Sequence, residues 1–311
     1  MSSESGKKTI FAAIGANLAI AIIKFIAAAV TGSSAMLSEG IHSVVDTANE
    51  LLLLLGIRLS KKPPDENHPF GHGQELYFWT LIVAILIFSI GGGMSIYEGI
   101  THLLHPSPLE APLWNYVVLG LAVFVEGFSW SVALNEFLPQ KGEQNFWQAV
   151  RTSKDPTIFT VLFEDTAALL GLIVAFLGVF FGHLFNNPYF DGTASIIIGL
   201  ILAVVAFLLA YESRGLLLGE SAGRTVVASI RGIAESDSGV EGVMRVLTMH
   251  LGPHEVLLNL ELQFHKNLSA EEVASAVERI EKAICSQHPD IKQIFIEAKS
   301  LRQVSAGSTL V

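Results

Sequence analysis

The chain has a single cysteine, Cys285, among 311 residues. No intrachain disulfide is possible, and a disulfide-stapled scaffold is excluded. Charge is scarce too: Asp, Glu, Lys and Arg make up 15%, against about 25% in ordinary soluble domains. Basic residues are the scarcer kind, 19 against 29 acidic, for a net charge of −10. Duplex binding needs a basic face, so no nucleic-acid partner is expected. A phosphate-cradling Walker loop is missing, so nothing points to ATP drive. What is abundant is apolar, at 51% with 27 glycines besides. That excludes disorder, and a soluble fold would struggle to hide so much apolar surface.

The charge that exists is unevenly spread. Residues 1–213 hold 9 Lys/Arg and 17 Asp/Glu, or 26 of 213, while residues 214–311 hold 10 and 12, or 22 of 98. The expected organisation is a membrane domain over 1–213 and a soluble domain over 214–311. A membrane helix needs about 20 mostly apolar residues. Six stretches qualify: Ile10–Val30, Ala35–Leu59, Tyr77–Leu104, Leu113–Leu138, Thr157–Phe185 and Gly192–Tyr211. Asp155 and Pro156 read as the cap and first residue of the fifth. The first span is too long for a signal peptide and no cleavage site follows it. Arg58, Lys61, Lys62, Lys141, Arg151 and Lys154 lie after spans two and four, Lys7 and Lys8 before span one, and Arg214 and Arg224 after span six. Connections 31–34, 105–112 and 186–191 have no Lys or Arg. This asymmetry predicts that both termini are cytoplasmic.

In the tail, Glu220–Ser236 reads as a helix, Val243–His250 and Glu255–Phe264 as strands parted by Gly252-Pro253, and Ile291–Glu297 as a last strand. Ser269 and Glu272 form a capping box before a helix reaching about Gln287. The order is αββαβ, a small ferredoxin-like two-layer α/β domain.

Ionisable residues inside spans are costly and mark function by default. In span two, Glu39, His42, Asp46, Asn49 and Glu50 share an arc of about 100°. His42 and Asp46 stand four residues apart, so an imidazole and a carboxylate can reach one ion, a pairing that suits Zn²⁺ or a related metal. The competing reading is a His–Asp hydrogen bond that only joins two helices. Span five adds Glu164 and Asp165, which diverge by about 100°, so at most one faces a given centre squarely. Glu126 of span four is a proton carrier, a partner of a ligand or a helix–helix bond. Lys24 either snorkels or pairs with a carboxylate. Gly91-Gly92-Gly93, and Gly178 with Gly182, read as close helix packing.

The run SAMLSEGIHSVVD (34–46) resembles the second-span signature of the cation diffusion facilitators, and NHPFGHGQE (67–75) their cytoplasmic H-P-[FY]-G-H-G segment. Six spans and a small α/β tail fit the same family. The resemblance implies a homodimeric antiporter that exports Zn²⁺ or a related ion against protons, with no permanently bound cofactor. It places His42, Asp46 and Asp165 at the transported ion, but Val161 stands where relatives carry the fourth ligand. The segment VLFEDTAALLG (161–171) looks like the zinc transporter 9-like branch; Glu164, a water or nothing replaces that ligand. Asp65, His68 and His72 match a second Zn²⁺ site of several relatives, unless the histidines merely shape a Pro/Gly turn. In the tail, Glu261 and Ile296–Ala298 stand where relatives keep ligands; with His250, His254, His265 and His288 elsewhere, dimer contact is the expected role. His102, His105 and His183 lie near the outer face and read as bland rather than as groups that attract or release metal. Gly219–Gly223 fits G-x-S-x-G but lacks the strand a nucleophile elbow needs, and no enzyme activity is expected. Glu39, Glu50 and Glu126 are then pathway or proton residues. The alternatives are a Mn²⁺, Fe²⁺, Co²⁺ or Ni²⁺ exporter, since carboxylate-rich sites favour harder ions, or a transport-deficient scaffold. Short loops and a plain N-terminus fit a bacterial inner membrane.

Overall fold

The computed structural model describes residues 3–106, 112–142 and 145–299. The middle of the 105–112 connection lies outside them, as do the side chains of Lys7, Lys8, Lys141 and Arg151, on which part of the orientation rests. The chain divides into two compact units: Met1–Lys62 with Glu75–Gly215, and Pro63–Gln74 with Leu216–Val311.

Among the described residues, the regular structure of the first unit is helical throughout. It comprises α1 (Ser3–Thr31), α2 (Ser34–Ser60), α3 (Glu75–Leu86), α4 (Gly93–Leu104), α5 (Pro112–Lys141), the short α6 (Phe146–Thr152), α7 (Pro156–Leu184) and the start of α8 (Tyr189–Leu217). Among the described residues, five helical stretches are long and apolar enough to cross a membrane, and Asn17–Thr31 of α1 is a shorter sixth. The apolar surface left outside, such as Phe124, Phe128, Val204 and Phe207, is what lipid would cover. Asp155 caps α7 by accepting the Thr157 N–H, with Pro156 in the first turn, as its sequence predicts. Span three is not one regular helix. Ile87–Gly92 forms a π-helical turn between α3 and α4 at the triple glycine, where the missing side chains let the backbone widen.

The glycines also set helix contacts. A Cβ on Gly99 would lie 2.7 Å from the Gly192 carbonyl, and one on Gly199 2.7 Å from the Gly92 carbonyl. Thus α4 and the preceding π turn meet α8 backbone to backbone at two levels. Gly178 of α7 packs likewise against Ala194 of α8.

The second unit contains α9 (Arg224–Glu235), β1 (Val240–Gly252), β2 (Glu255–Phe264), α10 (Ala270–Gln287) and β3 (Ile291–Ala298). The sheet order is β1-β2-β3, antiparallel then parallel. Val256, Leu258, Leu260 and Leu262 alternate inward on β2 and pack with Ile280 and Ile284 of α10 and Ile230 and Ala234 of α9. The capping box of Ser269 and Glu272 is formed. The αββαβ order is as expected, but α9 begins later than Glu220: Glu220–Gly223 is not helical, and the Glu220 carbonyl accepts the His250 N–H.

Candidate metal centre in the helical unit and a loop site

Helix α2 carries the polar face. Its N-cap is Ser33, whose hydroxyl accepts the Met36 N–H at 3.1 Å. From there the face descends through His42, Asp46, Asn49 and Glu50. His42 Nδ1 lies 3.3 Å from Asp46 Oδ1, the i, i+4 pairing that the spacing predicts. Yet both ring nitrogens of His42, Asp46 Oδ1 and Glu50 Oε2 are buried with no hydrogen-bond partner among the described residues. A buried polar atom left unpaired costs about 1–3 kcal/mol, so this face of α2 carries polar groups that its protein neighbours do not compensate.

The divergence of Glu164 and Asp165 is realised. Glu164 points at α2 and accepts the Asn49 amide at 2.7 Å. Asp165 points at α5, where Ser129 donates to it at 2.8 Å. Val161 packs against the apolar core. Glu126 of α5 is buried. Glu50 accepts the amide of Asn17 on α1 at 3.0 Å. The four intramembrane residues His42, Asp46, Glu164 and Asp165 are not drawn within ligand range of one point: among the described residues only Asp65, His68 and His72 bring three donor atoms within 4.8 Å of one another.

Lys24 does not snorkel. Its ammonium is fully buried, 3.0 Å from Glu39 Oε2 and 2.8 Å from the Ser43 hydroxyl. The Glu39 carboxylate occupies the notch at Gly171 of α7, where a Cβ would come within 2.5 Å of Oε1. Glu39, expected on the ion path, therefore has a fixed counter-charge.

In the second unit, Asp65 accepts the backbone N–H groups of Asn67 and His68, at 2.9 and 2.7 Å. The His68 N–H above all, with its ring and the Asn67 N–H, holds the Asp65 carboxyl below the usual carboxylate range. His68 Nδ1 and His72 Nε2 stand 3.1 and 3.4 Å from its two oxygens. Gly71 takes φ +88°, and Gly73 presses so closely on the Leu251 carbonyl and Gly252 that no side chain fits. The loop is thus seated on the β1–β2 turn.

The remaining histidines are dispersed. His254 faces Asp290 at 3.5 Å, His288 meets the Ser229 hydroxyl at 2.8 Å, and His105 and His183 are exposed. The G-x-S-x-G stretch lies between two helices, with the Ser221 hydroxyl bonded to Thr248. Sequence reading missed Asn17, Ser43, Ser129 and Asp191. Asn17 and Ser129 are polar residues in apolar helices, a signal that was available; the partners of Ser43 and Asp191 depend on helix packing.

Residues 10–218 match the cation efflux transmembrane domain and residues 223–299 the cation efflux protein cytoplasmic domain. The mouse (Mus musculus) proton-coupled zinc antiporter SLC30A9, mitochondrial, is 38% identical over 259 residues, 83% of this chain and 46% of that protein. The chain therefore spans about half the length of that relative. Metal tolerance protein C4 of Arabidopsis thaliana is 29% identical over 85% of the chain and 58% of its own length. Magnetosome protein MamM of Paramagnetospirillum magneticum is 23% identical over 92% and 86%. With both domain matches in chain order and the first alone covering well over half the residues, this chain belongs to the cation efflux family.

Proposed function

We propose that the protein exports a divalent cation, with Zn²⁺ as its substrate, in exchange for protons, as a homodimer with both termini cytoplasmic. The observation that carries this reading is the row of buried polar atoms on α2 without hydrogen-bond partners among the described residues, with Glu164 of α7 turned toward that helix. His42 and Asp46 hold the ion, and Asp165 joins them when α5 releases it from Ser129. Glu164, steered by Asn49, supplies the oxygen that Val161 lacks. Binding requires a neutral imidazole and ionised carboxylates, so each ion bound displaces protons, and protons arriving from the far side displace the ion. Glu50 and Glu126 line the route. The lysine on Glu39 removes one negative charge from the neighbourhood of the site. Asp65, His68 and His72 form a second Zn²⁺ site on the loop. The name of the mouse relative supports zinc and proton coupling.

The test is Zn²⁺ flux by reconstituted protein across an imposed pH gradient, with Mn²⁺, Co²⁺ and Ni²⁺ as competitors. Asp46→Ala should abolish flux. Undiminished flux in that variant refutes the site, and preference for a competitor refutes zinc.

A further inference from the structure

At the opposite end of α2 from Glu50, a second buried polar cluster takes no part in that site. Asp191, in the first turn of α8, is fully buried. Its Oδ1 accepts the Ser33 hydroxyl at 2.5 Å; its Oδ2 accepts the Ser34 N–H at 2.5 Å, the Ser34 hydroxyl at 2.9 Å and the Ala35 N–H at 3.3 Å. Ser195, one turn along α8, donates to the Ser34 hydroxyl at 2.9 Å. His102 Nε2 of α4 lies 3.9 Å from the same carboxylate. One side chain of α8 therefore satisfies the free N–H groups at the start of α2, where a negative charge is also favoured by both helix dipoles.

This cluster stands at the head of the polar face. Ser34, Ser38, His42 and Asp46 follow at intervals of four residues, so they form one ladder from the end of α2 down to the metal site. The ladder is closed at the Asp191 end: Ser34, Ser38 and His42 are 4%, 0% and 1% exposed. It loosens at the other, where Asp46 and Glu50 are partly exposed. Ser38, between latch and site, has a buried hydroxyl with no hydrogen-bond partner among the described residues. Helix α8 is in turn joined to α4 through the paired glycines, so α2 must part from both together.

We infer that Asp191 is the latch that closes the outer end of the ion path, a positioning residue that holds α2 against α8 while the site faces inward and must let go for the ion to leave. This inference rests on the orientation and transport reading above. Release exchanges the Asp191 contacts with α2 for water, so the latch sets turnover rather than metal affinity.

The experiment uses the full chain in lipid nanodiscs, with Cys285→Ser and Ser38→Cys, and follows the rate at which a hydrophilic maleimide labels position 38. Without further change labelling should be slow. Asp191→Asn should speed it about tenfold, the weight of one hydrogen bond to a charged group, and Ser34→Ala by less. Combined, the two should do less than the product of their separate effects, because they open the same latch. Zn²⁺ affinity should stay within about twofold while the maximal flux changes. Unaltered labelling in both single variants overturns the latch, as does an effect of the pair equal to the product. Should Asp191→Asn not fold, Ser34→Ala alone decides, by faster labelling or none. Labelling requires no transport, so absent flux in the unsubstituted protein would refute the transport reading and leave the latch result standing.

Discussion

Lys24 and Glu39 carry opposite charges where neither reaches water. Their pairing at 3.0 Å with zero exposure on both sides makes each the other's solvent. Removing one partner leaves an uncompensated buried charge, a loss of about 3–5 kcal/mol, whereas removing both is close to neutral. Thermal unfolding of the purified protein should accordingly show a large drop for Lys24→Met and most of it restored in Lys24→Met with Glu39→Gln. Asn49 donates to Glu164 at 2.7 Å and, in the proposed site, aims it. Asn49→Ala should weaken Zn²⁺ binding by about 10–100-fold, the usual cost of losing the group that aims a ligand, and calorimetry would show it; unchanged affinity would remove Glu164 from the site. At the surface, Arg279 holds Asp237 with two bonds of 2.8 and 2.9 Å, and this hydrogen bonding, with the Gly239 N–H, lowers the Asp237 pKa. A lowered folded pKa stabilises the fold fully above the unfolded value of about 3.9 and ceases to do so as pH falls through the folded one. Asp237→Asn should therefore cost no more than about 1 kcal/mol at neutral pH, and its difference from the parent in unfolding experiments should fade below about pH 3.9.

At the scale of elements, the helices divide into those bonded by polar groups and those bonded by missing side chains. The first class includes α1 and α2, through Lys24–Glu39 and Asn17–Glu50. The second includes α4 and α8, through Gly99 and Gly199. The loop on the β1–β2 turn depends on Gly73, since even a methyl group there would strike the Leu251 carbonyl. Gly73→Ala should push the loop off its seat and weaken Zn²⁺ binding by Asp65, His68 and His72, measured by calorimetry in the Asp46→Ala background. The helix boundaries were legible because their signals are local: Pro156 after Asp155, Ser269 with Glu272. The π turn was visible only as a glycine run, since glycine permits a widened turn without requiring it. α6 escaped notice because seven residues show too little periodicity to stand out from a connection.

For the molecule as a whole, the two proposed metal sites draw on residues of different compact units and should report separately. Asp46→Ala should lose flux but keep Zn²⁺ binding at the loop, while His68→Ala with His72→Ala should lose loop binding and keep the intramembrane site, as read by Zn²⁺ titration of each variant. Loss of both by either change would mean that one site had been mistaken for two. The buried ionisable residues of the helices were legible as a list of charges in apolar segments, because lipid makes such residues conspicuous. Their partners were not: Glu39 and Glu50 look alike along α2, yet one faces a lysine and the other an asparagine.

The sequence by itself determined the six apolar stretches, the α/β order of the tail, the family and the i, i+4 ladder of α2, because hydropathy, capping and helical periodicity are short-range properties. Only the tertiary structure decided that Lys24 neutralises Glu39, that Glu164 turns to Asn49 while Asp165 turns to Ser129, and that Asp191 closes over Ser33 and Ser34. These are contacts between residues separated by 15 to 158 positions. Helix packing, not periodicity, brings such residues together, and a buried charge is stabilised by whichever group packing sets beside it.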